Sequence, residues 1–187
     1  MSREGENLSL VVEYLHEQHP KVFREILKKL SSRVPGLTSV DSKVTEEGRV
    51  LLEFQDGSFE DPFLARYVSD GTIKMLAYLV LLLDPKPHPL LCVEEPENQL
   101  YPGLLSELAE EFRSYATRGG QVFVSTHSPD FLNAVDVEEA FWLVKGRGLH
   151  RGYTEVHRAK DDKPDSGLHG RWRQTRLPVE AGPFRRG

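Results

Sequence analysis

The sequence predicts an α/β fold: a mostly parallel sheet flanked by helices, with a helical and short β segment ahead of it. Two short apolar runs, residues 90–93 and 122–125, are bounded by turn signals, as expected of strands buried on both faces of a parallel sheet. Helical patterns alternate with these runs, and such alternation indicates parallel βα units. Ahead of them, apolar residues recur at spacings of three and four, the period of amphipathic helices.

Val11 and Leu15 mark a first helix over residues 8–15, and Val22, Ile26 and Leu30, with Phe23 and Leu27, mark a second over 22–30. Pro20 separates them; proline is tolerated in a helix's first turn and breaks an interior, so it opens the second. Pro35 and Gly36 end that unit. Residues 39–44 and 49–54 read as two strands joined by a turn at Glu46, Glu47 and Gly48. Residues 71–83 are apolar nearly all round, which predicts a buried helix stopped by Asp84 and Pro85. In residues 102–117, Leu104, Leu108 and Phe112 share a core face with Leu105 and Ala109, opposite Glu107, Glu110, Glu111 and Arg113; Gly119 and Gly120 close that helix. Ser128 reads as an N-cap with Pro129 in the first helical position, residues 140–144 as a third strand and 153–157 as an edge strand. Beyond Lys160 the apolar pattern fades, so residues 1–160 read as one domain and 161–187 as a loosely ordered polar tail.

Composition narrows the class. A chain that is 39% hydrophobic and 28% charged is globular rather than disordered throughout. Its net charge of -5 gives no sequence-wide electrostatic footprint for nucleic acid. The longest apolar stretch, residues 75–83, is too short for a bilayer and no signal-peptide core is visible, so no membrane association and a cytoplasmic location are expected. The single cysteine, Cys92, falls inside an apolar run, where a small buried thiol is expected.

Three segments carry candidate chemistry. Glu94 and Glu95 follow a buried strand, a costly place for two carboxylates unless a cation or substrate uses them. Side chains alternate along an extended chain, which suits one carboxylate for hydrated Mg²⁺ and the other for orienting a water; a solvated loop is the plain alternative. Ser69, Asp70, Gly71 and Thr72 precede the buried helix, so Ser69 is a natural cap, Gly71 admits close approach, and the helix start is an anion site; an ordinary cap is the alternative. His127 follows the strand at 122–125, where its ring reaches toward a ligand lying across strand ends; a packed histidine is the alternative. A Ser-His-Glu hydrolase triad is disfavoured, because no G-x-S-x-G surrounds Ser69.

In this order, V-S-D-G-T-I-K-M-L, V-E-E-P-E-N-Q-L-Y-P and V-F-V-S-T-H-S-P-D-F-L resemble the C-terminal half of ABC-type ATPase domains. More closely, they resemble the AAA-type predicted ATPases related to RecF, SMC and OLD-family proteins, across about residues 8–158. The resemblance implies part of a P-loop NTPase fold, with the signature motif at 68–76, Walker B at 90–96, the D-loop at 97–102 and the switch histidine at 127. It implies that Ser69, Asp70 and Gly71 serve the γ-phosphate of ATP held by a partner subunit. Glu94 would hold Mg²⁺ through water, Glu95 would orient the attacking water, and His127 would lie near the γ-phosphate. Glu97 and Asn98 fall in the D-loop at the dimer interface, with Asn98 beside the nucleotide. Glu94 stands where many ABC proteins carry aspartate, although a Glu-Glu pair is familiar in this subgroup.

The phosphate-cradling loop G-x-x-x-x-G-K-[ST] occurs nowhere in the chain, and no glutamine-bearing switch is identifiable. The expectation is therefore a C-terminal lobe, inactive alone, that hydrolyses ATP with Mg²⁺ when a P-loop-bearing half or second ATPase subunit completes a dimer. A non-catalytic interaction or regulatory module built on the same fold is the alternative. DNA or a separate nuclease is compatible as a partner of the full system. A built-in nuclease of the OLD type would need a metal site for which Asp161, Asp162 and Asp165 are a poor substitute. Loss of a P-loop strand between 122–125 and 140–144 should leave unpaired strand edges.

Overall fold

The computed structural model describes residues 1–2, 5–146 and 152–161, and the chain divides into two units, Met1–Ser125 and Thr126–Gly187. In the first unit, α1 (Leu8–Gln18) and α2 (Pro20–Arg33) meet at His19, with Pro20 opening α2 where its missing N–H costs nothing. Their buried stripes are Leu8, Val12 and Leu15 on α1 and Phe23, Ile26 and Leu30 on α2. Leu15, Phe23, Ile26 and Leu30 lie on these stripes as expected, whereas Val11, Val22 and Leu27 are only part-buried and Val12 takes the inner position on α1.

Both helices pack on an antiparallel sheet of β1 (Leu37–Val44) and β2 (Val50–Asp56), in register from Ser39 opposite Gln55 to Val44 opposite Val50, with an irregularity between Leu37 and Ser39. The short β3 (Phe63–Leu64) pairs with β2. Val40, Leu52 and Phe54 fill the covered face. Helix α3 (Asp70–Leu82) follows, with Met75, Leu76, Leu79, Val80 and Leu82 buried.

The parallel element is a pair, β4 (Leu90–Glu94) and β5 (Gln121–Ser125), in register from Leu90 opposite Gln121 to Glu94 opposite Ser125. A 3-10 turn (Pro102–Leu104) and α4 (Leu105–Thr117) join the two strands, and α4 packs on β5. Gly119, at φ +97, lets the chain leave α4 through a left-handed turn. Among the described residues β5 has no second strand partner.

Two expectations are corrected here. The strands are not buried on both faces: Leu90 is 48% exposed, Phe123 57%, and Cys92 is exposed rather than a buried thiol. Both strands alternate inward and outward because one face only is covered. Glu111, expected on the solvent face of α4, is buried, because Lys29 and Arg33 of α2 reach its carboxylate.

In the second unit, α5 (Pro129–Asn133) leads into the antiparallel pair β6 (Phe141–Lys145) and β7 (Thr154–Arg158), in register from Phe141 opposite Arg158 to Lys145 opposite Thr154. The third strand expected at 140–144 is β6, and its partner is β7. Ala140 and Ala159 form a small core with Leu132, Val135, Val137 and Trp142. Most of the expected tail, residues 162–187, lies outside the described residues. No helix among the described residues is long and apolar enough to cross a membrane.

Candidate functional site

At the start of α3, Ser69 is extended and its Oγ accepts a hydrogen bond from the Thr72 N–H at 3.2 Å. The Ser69 and Thr72 hydroxyls also lie 2.8 Å apart. Asp70 occupies the first turn, where a carboxylate complements the helix dipole. With Thr72 N–H capped, the N–H groups of Asp70 and Gly71 have no acceptor within the helix. Gly71 has a reason the sequence did not show: a Cβ there would lie 2.7 Å from the Gln99 carbonyl oxygen. Glycine is required because the chain's own backbone approaches that closely.

Glu94 ends β4, exposed, opposite Ser125. The Glu95 N–H donates to the Ser125 carbonyl at 2.8 Å, and at φ +42 the chain turns sharply out of the strand. Left-handed backbone costs a non-glycine residue about 1 kcal/mol, so the surroundings must hold it. Two tight turns do so: Asn98 N–H to Glu95 O at 3.1 Å, and Leu100 N–H to Glu97 O at 3.0 Å. Pro96 and Leu100 are buried beneath them. Among the described residues, Gln99 is the other non-glycine residue with positive φ, at +66.

Asn98, expected beside the nucleotide, donates its side-chain amide to Glu95 Oε2 at 2.9 Å. Lys74 was missed by sequence reasoning: its Nζ donates to the Asn98 carbonyl at 2.7 Å and lies 5.8 Å from the Tyr78 ring centroid. No local spacing marks it, because its partner comes from the turns after β4. Burial lowers the Lys74 pKa, with the Glu97 charge partly opposing. Burial, then the Glu97 charge, pushes the Tyr78 phenol up to about 12.

The structure therefore gathers Gly71, Lys74, Glu95, Asn98 and Gln99 into one contact between the start of α3 and the turns after β4. His127 lies in the second unit, exposed, just ahead of a capped helix start in which Ser128 Oγ accepts the Phe131 N–H at 3.3 Å.

Among the described residues, no group of three or more His, Cys, Asp or Glu side chains converges as a metal cage. Exposed Glu94 with Glu95 beside it nonetheless fits hydrated Mg²⁺, which keeps several waters and takes one or two carboxylates plus phosphate oxygens.

Residues 7–133 match the family described as AAA domain, putative AbiEii toxin, Type IV TA system. The chain belongs to that family. Solved structures agree with this AAA domain on the fold. One, from work on ATP-driven dimerization and DNA-stimulated activation of SMC ATPases, shares 14% identity at a TM-score of 0.51, covering 73% of this chain and 81% of that one. A second, an Smc head bound to the C-winged helix domain of ScpA, shares 11% identity at a TM-score of 0.54, covering 80% of this chain and 49% of that one. A third is an Smc head with an extended coiled coil bound to the C-terminal domain of ScpA, derived from Pyrococcus furiosus. It shares 11% identity at a TM-score of 0.52, covering 83% of this chain and 38% of that one. The AAA domain thus spans half or less of the latter two chains. Family and fold together make it a P-loop NTPase-class domain of the ABC/AAA type. No curated protein matches the chain.

Proposed function

We propose that this AAA domain supplies a signature helix, a Mg²⁺ ligand and a catalytic carboxylate to an ATPase completed by a P-loop-bearing lobe and a second subunit. The observation that carries the reading is Glu95, set at the end of a parallel strand pair with its carboxylate held by Asn98 and with Glu94 beside it. Residues 1–160 then form the C-terminal lobe of the ATPase domain, with 161–187 as its tail, in the cytoplasm.

Glu95 accepts a hydrogen bond from the attacking water and aligns it for in-line displacement, and Glu94 holds the hydrated cation. When bound with ATP, Mg²⁺ supplies charge neutralisation on the phosphate oxygens. The Ser69 hydroxyl and the N–H groups at the start of α3 present donors and a positive dipole end to the γ-phosphate held by a second subunit, and the family resemblance gives His127 a role near a γ-phosphate. Two-subunit action is carried over from the ATP-driven dimerization of the SMC ATPases. DNA or a nuclease is the partner class of the full system.

The sequence lacks a P-loop motif, so the domain alone should turn over ATP negligibly. The test is ATP hydrolysis with and without a separately expressed P-loop lobe. Rescue that disappears on Glu95→Gln is expected; turnover by the isolated chain that survives Glu95→Gln overturns the proposal. The missing motif also favours a second reading, a non-catalytic assembly module. In that case partner binding persists in Ser69→Ala and His127→Ala while no lobe restores hydrolysis.

A further inference from the structure

We infer that Lys74 and Asn98 are positioning residues that tie the orientation of the Glu95 carboxylate to the signature helix. The connection is two hydrogen bonds long. Lys74 Nζ, one turn into α3, donates to the Asn98 carbonyl at 2.7 Å, and the Asn98 side-chain amide donates to Glu95 Oε2 at 2.9 Å. Asn98 is thus held through its backbone from one side and holds Glu95 through its side chain on the other.

The backbone around Asn98 is tied to α3 at a second point as well. Glu95 and Gln99, at φ +42 and +66, take conformations that non-glycine residues keep only where their surroundings over-determine them. The Gln99 carbonyl oxygen lies 2.7 Å from where a Cβ on Gly71 would be, so the helix start and residue 99 are packed backbone to backbone. A displacement of the first turns of α3 therefore moves residues 98–99 and carries the Asn98 amide with them. On the proposed function, on which this inference rests, that helix start meets the nucleotide of the neighbouring subunit while Glu95 acts on the nucleotide of its own. One chain then links two ATP sites, and an anion at the helix start sets the carboxylate at the other.

Both bonds are at the surface, where hydrogen bonds and charges contribute little to stability. A positioning role therefore predicts changed orientation with almost unchanged folding.

The test uses the full chain labelled with ¹⁵N, the Asn98 side-chain amide being assigned by its loss in Asn98→Ala. Lys74→Met and Glu95→Gln should each shift that amide pair, Lys86→Met should not, and Lys74→Arg should leave it near its native position. Melting temperatures of the Lys74 variants should change by no more than about 3 °C. With the P-loop lobe supplied, Lys74→Met should lower kcat about tenfold at nearly constant KM for ATP, and Lys74→Arg should recover most of it. An Asn98 amide unmoved by Lys74→Met overturns the inference, as does a raised KM at unchanged kcat. If the completed system hydrolyses no ATP at all, the proposed function fails, and the amide spectra alone decide whether Lys74 and Asn98 orient Glu95.

Discussion

Tyr78 and Lys74 are neighbours whose protons respond to the same surroundings with opposite signs. Burial first, then the Glu97 charge, raises the Tyr78 pKa from 10.0 to about 12. The folded state holds that proton more tightly than the unfolded chain, so the stability it contributes is complete below pH 10 and is lost as pH rises toward about 12. Lys74 runs the other way: burial lowers its pKa, Glu97 only partly offsets this, and the resulting cost is relieved as pH climbs toward 10.5. Tyr78→Phe should remove a phenol that ionises well above pH 10 in an ultraviolet titration. It should also flatten the loss of stability above pH 10 by about 1–2 kcal/mol, read by urea unfolding at pH 9 and 11. Parallel slopes for the variant and the parent chain would show that the phenol is not held neutral by its site.

At the scale of elements, α2 and α4 are joined by an ion network. Glu111 Oε1 accepts from Lys29 Nζ at 2.7 Å and from Arg33 at 2.8 Å, and the Arg33 Nε lies 2.6 Å from Glu107. The Glu111 and Arg33 side chains are 7% and 8% exposed, so deleting Glu111 leaves a buried guanidinium with only the half-exposed Glu107 as its ion partner. Glu111→Ala should destabilise by about 2–3 kcal/mol, since Lys29 retains some solvent, whereas Glu107→Ala at the open end should cost below about 1 kcal/mol. Urea denaturation of the two variants compares them directly. The sequence placed α4 and its apolar stripe correctly, and Pro20, Ser69 and Ser128 do the local work their residue types suggested. It misplaced Glu111 because helical period says which residues share a stripe and nothing of the cations that another helix brings to it. It misread β4 and β5 because a short apolar run looks the same whether one face is covered or two. Lys74 stayed hidden because its acceptor, Asn98, lies 24 positions away in the sequence.

At the scale of the whole molecule, an outward sheet face is left partly apolar. Leu90 and Cys92 on β4 and Phe123 on β5 point away from the covered side, with Cys92 directly opposite Phe123. Contiguous apolar surface of this kind favours association. The lone thiol reports on it. In the native chain Cys92 should react with dithiobis(nitrobenzoate) within about tenfold of its rate in denaturant, because an accessible thiol needs no unfolding to react. Addition of the P-loop lobe should slow that reaction. A thiol that reacts only after unfolding would mean the face is covered in solution.

The approach of Gly71 to the Gln99 carbonyl bears on how this chain is exchanged for parts of others. A segment of residues 68–76 transplanted from a related ATPase brings a backbone shaped around a different set of turns, and a methyl group at position 71 would collide with these. The helix start and residues 95–100 behave as one cassette, to be swapped together or left in place.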